Sequence, residues 1–334
     1  MDKIRTAVIG AGKMGSIHAK VYHQMPQAQL AAIVDTDISK AKKLAKKYKT
    51  KPFTDYSEVI GKIDAVTIAT PTTSHLELAS IFINAKIPIL IEKPLAVDVG
   101  ECKTIVELAQ SNGTIVAVGH SERCNPVVQA MKRLDIEPKF IEAHRISPYP
   151  FRSTDVSVVL DVMIHDIDII LSMAQSSIKK IEAVGVAVID DKEDICNARI
   201  TFENGCIANV TASRLALKTE RKLRVFSKQA YISVDYLKQY GIIIKADPNL
   251  DVVNWIKEKR KLKGFDFLKF QWQDLLHVEE LKIGDKEPLR LEQEAFIAAV
   301  ADPSLRPQVS AEEGLAAMEC AEQILESAKE HSWD

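Results

Sequence analysis

The segment VVLDVMIHDIDII (158–170) sets four polar side chains, Asp161, His165, Asp166 and Asp168, into an otherwise apolar run. Wound as a helix, residues spaced i, i+4 and i+7 stack on one face. Asp161, His165 and Asp168 then share a stripe and Asp166 turns elsewhere. A histidine, with a reference pKa of ~6.5, can take or give a proton near neutral pH. A carboxylate one turn earlier orients its ring and favours its protonated form. The stripe reads either as a general acid–base pair lining a pocket or as a buried helix with a satisfied core histidine. The segment alone does not decide.

A second pattern bears on a cofactor. AVIGAGKMG places Gly10, Gly12 and Gly15 in the G-x-G-x-x-G spacing, after a strand-like run and at the opening of a helical one. Gly10 allows the tight turn, and Gly12 lets the backbone approach a pyrophosphate resting on the helix N-terminus. Gly15 lets helix and strand pack closely. Lys13 and Met14 belong to the same cofactor-binding loop. The next strand-like run, LAAIVD, ends in Asp35, twenty residues past Gly15. A carboxylate there accepts hydrogen bonds from the adenosine ribose and repels a 2′-phosphate. Thr36 beside it is no arginine to receive one, although Lys40, Lys42 and Lys43 lie close in sequence. NAD is expected over NADP.

The elements that must position these groups follow from periodicity. IRTAVIG, AQLAAIVD, IDAVTIAT, IPILIE and TIVAVGH read as near-continuously apolar strands, separated by helical patterns. Such alternation means a doubly wound parallel sheet covered on both faces. After Asn125 the texture changes: one helix, a strand KFIEAHRIS, the polar-interrupted helix, then mostly strands from about 178 to 245. Asn204-Gly205 suits a tight hairpin turn. Residues 251–275 give no clear element, and their basic run KEKRKLKG reads as a solvated face. Two helices close the chain, the second opened by Ser310 and Glu313 in capping-box spacing.

At 334 residues the chain is long enough for two domains. With 46% hydrophobic residues, 27% charged and a formal net charge of −2, it is neither disordered nor basic enough to suggest nucleic acid. No apolar run reaches the ~20 residues of a membrane span. The N-terminus lacks the pattern of a signal peptide. Five scattered cysteines without a C-x-x-C fit reduced thiols better than disulfides or a zinc site. A cytoplasmic α/β protein is expected.

Further along, IATPTTSH (68–75) followed by LIEKPLA (90–96) resembles the Gfo/Idh/MocA oxidoreductases, with Glu92-Lys93-Pro94 as their signature. DVMIH supplies the D-x-x-x-H pair of that family's C-terminal half as Asp161 and His165. The resemblance spans nearly the whole chain. It implies an N-terminal Rossmann domain (1–122) and a C-terminal α+β domain (123–334) with a large open mixed sheet for substrate binding and oligomerisation. The helix at about 310–330 would pack back on the Rossmann domain. It further implies hydride transfer between a nicotinamide and a sugar or cyclitol carbon, a homodimer or homotetramer, and a strained or cis peptide before Pro94. An alcohol losing hydride must also lose its hydroxyl proton, so a base must sit at that oxygen. Lys93 and His165 are the two groups suited to it, and the sequence leaves open which takes the proton. Glu92, Thr70, Pro71 and His75 are expected beside the cofactor. This chemistry needs no metal, so Asp161, His165 and Asp168 are not read as ligands.

Two stretches, VGHSERCNPVV (118–128) and AHRISPYPFR (143–152), resemble a subgroup acting on nucleotide sugars such as UDP-N-acetylglucosamine and its uronate. Its usual E-R-F-N-P carries Cys124 at the third position here. Glu122, Arg123 and Asn125 are expected where one domain hands over to the next, with Arg145 and Arg152 reaching the same space. Arginines suit a diphosphate, and Asp168 could face substrate. The resulting expectation is NAD-dependent oxidation of the sugar 3-hydroxyl to a 3-keto sugar for amino-sugar and surface-glycan synthesis. The alternatives are a uronate, inositol or free hexose as substrate, or a non-catalytic NAD-binding sensor.

Overall fold

The computed structural model describes residues 3–134, 136–149, 156–189, 191–228, 230–246, 252–262 and 276–330. In chain order the elements begin β1 (Ile4–Ile9), α1 (Lys13–Gln24), β2 (Ala28–Val34), α2 (Ile38–Tyr48) and β3 (Lys51–Phe53). They continue with β4 (Ala65–Ile68), α3 (His75–Asn84), β5 (Ile89–Glu92), α4 (Val99–Asn112), β6 (Val116–Gly119), α5 (Pro126–Lys132) and β7 (Phe140–Ile146). A π-turn (Val159–Met163) runs into α6 (Ile164–Ala174), and β8 (Ile178–Val186), β9 (Ile195–Phe202), β10 (Ile207–Ser213) and β11 (Glu220–Phe226) follow. Then come β12 (Ala230–Asp235), β13 (Tyr240–Ala246), α7 (Val252–Lys261), β14 (Leu276–Glu280), α8 (Pro288–Ala301) and α9 (Ala311–Lys329).

Two compact units result. The first comprises Met1–Asn125, Ile167–Ile169 and Lys286–Gln323, and the second Pro126–Asp166, Ile170–Asp285 and Ile324–Asp334. The segments of the two units interleave along the chain. Arg123, Asp168 and Glu313, which are hydrogen-bonded together, all fall in the first unit.

The first unit holds a six-stranded parallel sheet in the order β3-β2-β1-β4-β5-β6, the arrangement of a dinucleotide-binding sheet. Its apolar strands bury Val8, Ile33 and Leu90 against Tyr22 of α1 and Phe296 of α8. Local signals set the helix ends. The Asp37 side chain accepts from Ser39 N–H at the start of α2, Asp98 accepts from Glu101 N–H at the start of α4, and α4 stops at Gly113 with φ 61°. At α9 the capping box forms in both directions, with Glu313 N–H donating to Ser310 Oγ and Ser310 N–H to Glu313 Oε2.

The second unit holds an eight-stranded mixed sheet in the order β14-β13-β12-β11-β7-β10-β9-β8. Only β7 and β10 run parallel; every other neighbour is antiparallel. Alternation along β7, β10 and β12 buries one face, with Ile141, Val210 and Ile232 fully covered, and leaves the other partly exposed. The β9–β10 hairpin turns at Asn204-Gly205, where Gly205 takes φ +80°. The α/β class with a second, mixed sheet matches the sequence reading. The helix α7 occupies part of the stretch that gave no clear element.

All five cysteines are buried free thiols. Burial pushes Cys102, Cys196 and Cys320 up to about 12. Among the described residues, no helix is long and apolar enough to cross a membrane.

Candidate active site

The glycine loop joins β1 to α1. Gly10 sits at φ +98°, and a Cβ there would lie 2.4 Å from the Ala69 carbonyl oxygen. A Cβ on Gly15 would lie 1.7 Å from the Gly10 carbonyl oxygen, so neither position admits a side chain. Gly12 differs: a Cβ there meets nothing within 4 Å of protein. The chain's own packing does not require that glycine, whereas a ligand lying across the loop does. Gly12 also caps α1 without any side-chain hydrogen bond, so the first turn, with Lys13 and Met14, opens on a helix N-terminus suited to an anion.

Asp35 directly follows the strand β2. Its Oδ2 accepts from Ala11 N–H at 2.7 Å and its Oδ1 from Asp37 N–H at 2.8 Å. Each oxygen keeps a further lone pair, so the carboxylate is fixed by the backbone and still able to accept from a ribose. The loop, the uncapped helix and the fixed carboxylate together fit a dinucleotide.

Glu92 closes β5, and the following Lys93–Pro94 peptide is cis. The Glu92 Oε1 lies 2.6 Å from Nε2 of His18, a fully buried residue of α1. The Nδ1 of His18 in turn receives the Gln293 side-chain amide of α8 at 3.0 Å. His75, expected to line the cofactor groove, does something else. It is 1% exposed, and its ring nitrogens lie 3.0 Å from the Pro94 carbonyl and 3.2 Å from the Thr70 carbonyl. Burial holds its pKa below the ordinary value against the pull of those carbonyls. His75 thus ties the Thr70-Pro71 loop to the Lys93-Pro94 loop rather than facing outward. Thr70 is further fixed by Ser74 Oγ at 2.8 Å.

The arginines depart most from expectation. Arg123, 2% exposed, donates from Nε to Asp168 Oδ2 at 2.7 Å and from NH1 to Glu313 Oε1 at 2.7 Å. Burial works to lower its pKa, but the hydrogen bond and charge of Asp168, then Glu313, hold it above the ordinary value. Arg145, 4% exposed, grips Asp166 with Nε at 2.8 Å and NH2 at 2.9 Å, and its guanidinium lies over the Tyr236 ring. Both are buried and matched to protein carboxylates, whereas the sequence reading expects them to meet a substrate diphosphate. Asp168, the last member of the expected stripe, likewise accepts from Arg123. Asn125 is 5% exposed, and its side-chain amide donates to Glu122 Oε2 at 3.4 Å. Arg152 lies outside the described residues.

In the second unit, Asp161 and His165 are both half-buried, unlike their apolar neighbours Val159, Met163 and Ile164. They do not lie on one continuous α-helix. Asp161 stands in the π-turn and His165 in the first turn of α6, which replaces the regular i, i+4, i+7 stripe. Ser157 starts the turn by accepting from the N–H groups of Leu160 and Asp161 on its carbonyl. Single π-turns in α-helices are rare and concentrate at functional sites. Asp166 turns away from them to Arg145, as the sequence spacing expects.

Sequence reading passed over His18, Gln293, Glu292 and His120. Glu292 and Gln293 sit next to each other on α8 at 4% and 0% exposure, and His120 at 1%. Burial pushes His120 below its ordinary pKa. Each appears in the sequence as an ordinary polar residue in a helix or at a strand end, so only the three-dimensional packing reveals it.

Comparison with known proteins places this geometry. Residues 4–120 match the family described as "Oxidoreductase family, NAD-binding Rossmann fold", and residues 140–233 match "GFO/IDH/MocA C-terminal domain". The UDP-N-acetylglucosamine 3-dehydrogenase of Acidithiobacillus ferrooxidans is 35% identical over 238 residues, covering 71% of this chain and 75% of that protein. The chain belongs to the Gfo/Idh/MocA oxidoreductase family. The myo-inositol 2-dehydrogenase of Thermotoga maritima is 24% identical over 72% of this chain and 78% of its own length. Among solved structures, UDP-N-acetylglucosamine 3-dehydrogenase GnnA from Acidithiobacillus ferrooxidans matches at TM-score 0.86 and 29% identity over 99% of both chains. Levoglucosan dehydrogenase in complex with NADH and levoglucosan, at TM-score 0.81 and 18% identity over 100% of this chain and 99% of its own, shares the fold. As a member of this family the chain is an NAD-dependent oxidoreductase acting on a sugar-type alcohol.

Proposed function

We propose that the chain oxidises the 3-hydroxyl of UDP-N-acetylglucosamine to a 3-keto sugar, with NAD as hydride acceptor. The observation that carries this reading is the likeness to the UDP-N-acetylglucosamine 3-dehydrogenase, at 35% identity in sequence and TM-score 0.86 in structure. The Glu122-Arg123-Cys124-Asn125-Pro126 stretch supports it. NAD would be held by the Gly10–Gly15 loop, with Asp35 on its adenosine ribose, and supplies the hydride acceptor when bound. Lys93 stabilises the developing alkoxide as a compact cation. His165, oriented by Asp161, exchanges the hydroxyl proton, with Lys93 the other group able to do so. A 3-keto sugar is a reactive carbonyl, which a transaminase of an amino-sugar and surface-glycan route would consume.

One observation favours a second reading. Arg123 and Arg145 are closed in by protein carboxylates, and a free cyclitol or hexose has no diphosphate for them to meet. The inositol dehydrogenase relatives fit that alternative. The cytoplasm and a homodimer or homotetramer complete the proposal. Phe140, Phe226 and Tyr231 form an aromatic row on the partly exposed sheet face, with centroids 5.8 and 4.8 Å apart, suited to assembly. The reaction is tested with UDP-N-acetylglucosamine deuterated at C3. Transfer of the label to NADH supports the reading, whereas unlabelled NADH or none overturns it.

A further inference from the structure

Three polar side chains from distant parts of the sequence converge at Glu92, the residue that precedes Lys93. Gln293 of α8 is fully buried, as is His18 of α1, and Glu92 closes β5. The Gln293 nitrogen reaches His18 Nδ1 at 3.0 Å and also the His18 backbone carbonyl at 3.4 Å. A carbonyl oxygen can only accept, so this second contact orients the amide with its NH2 toward His18. The NH2 has no lone pair to offer, and His18 Nδ1 must therefore accept. In a neutral imidazole the proton is then left on Nε2, and Nε2 donates to the Glu92 carboxylate 2.6 Å away. Each link determines the next.

The same helix supplies a complement. Glu292, next to Gln293, is 4% exposed and neither of its oxygens has a hydrogen-bond partner among the described residues. The charges that bear on it, Glu92 and Asp168, are both negative.

We propose that Gln293 and His18 are positioning residues for Lys93: Gln293 fixes the His18 tautomer, and His18 holds Glu92 as an oriented carboxylate beside the lysine. This rests on the dehydrogenase reading, in which Lys93 acts at the alcohol oxygen. Loss of the Gln293 donor frees Nδ1 to carry the proton. Nε2 then presents a lone pair to Glu92, the carboxylate turns away, and the fixed charge behind Lys93 is lost.

The experiment uses the full chain. Nitrogen-15 NMR of labelled histidine reads the His18 tautomer without any substrate, and the signal is assigned by its loss in His18→Gln. The wild type is expected in the Nε2–H form, and Gln293→Met as a tautomer mixture. With the sugar that the enzyme turns over, Gln293→Met is expected to lose about 10- to 10²-fold in kcat, the scale of a small misplacement at a reacting group. NAD affinity is expected to stay within about threefold, since the dinucleotide loop is untouched. His18→Gln, whose amide can still donate to Glu92, should retain more kcat than His18→Leu. That pair decides the matter if Gln293→Met does not fold. An Nδ1–H or imidazolium His18 in the wild type, unchanged kcat in Gln293→Met, or equal activity in the two His18 variants overturns the proposal. Absence of turnover in the wild type with an Nε2–H His18 overturns the dehydrogenase substrate reading instead.

Discussion

The Arg123 guanidinium and the Asp168 carboxylate form a two-pronged buried pair, with Nε donating to Oδ2 at 2.7 Å and both side chains under 4% exposed. Removing one member of such a pair leaves the other charged, buried and unmatched, at a cost of about 3–5 kcal/mol. Asp168→Asn and Arg123→Met are each expected to lower stability by that amount in urea melts. Neither is expected to act as the loss of a diphosphate ligand. A substrate KM raised tenfold or more in Arg123→Met at undiminished stability would reverse this assignment.

Glu292 makes stability depend on pH. Burial, then the charges of Glu92 and Asp168, pushes its pKa well above the ordinary 4.5. In the unfolded chain the same carboxyl ionises near 4.5, so above that pH the unfolded state loses a proton that the folded state keeps. Its contribution to stability therefore falls as pH rises from that value toward the folded pKa. Glu292→Gln, which matches the neutral acid in shape, is expected to gain stability over wild type at about pH 7 and to show little of that gain at about pH 4. Urea midpoints at the two pH values measure it. An equal offset at both would mean that the carboxyl is not held neutral.

Asp35 is expected to set the choice between NAD and NADP. Asp35→Asn keeps one acceptor and removes the charge that repels a 2′-phosphate. NAD affinity is expected to fall by about 10- to 10²-fold, the worth of a charge-assisted hydrogen bond, while NADP affinity rises. Titration of both cofactors by protein fluorescence checks the direction.

Lys93→Met and His165→Ala are each expected to lose at least about 10²-fold in turnover while NAD still binds, since each removes a group that the proposed function sets at the alcohol proton or alkoxide. Steady-state rates together with cofactor titration separate this from misfolding. Turnover in the unsubstituted chain also distinguishes an enzyme from a sensor, which would have none to lose.

Much of this was legible because local rules and global fold agree. Five of the six parallel strands are continuous apolar runs, and glycines at 10 and 15 have no steric alternative. The strand that sequence reading missed, β3, is a three-residue edge segment containing Pro52, too short and too poor in donors to give a pattern. The π-turn escaped because VVLDVMIH has the composition of an ordinary helix, and Ser157, not an unusual residue, starts it. The arginines were legible as charges but not as partners. Asp166 and Asp168 were visible in the quoted run, but which arginine each one meets depends on pairing between distant elements. The His18–Gln293 contact joins residues at opposite ends of the chain, beyond any local signal.

The central claim, a nucleotide-sugar 3-dehydrogenase, is tested most directly by NADH formation from NAD and a panel of UDP-N-acetylglucosamine, its uronate, UDP-glucose, myo-inositol and glucose. A 2-oxo acid added in parallel would reoxidise any NADH held tightly between turnovers. The account predicts a signal with UDP-N-acetylglucosamine well above the others. Turnover of myo-inositol or glucose without response to the nucleotide sugar would contradict it and assign the chain to the free-polyol branch of the family.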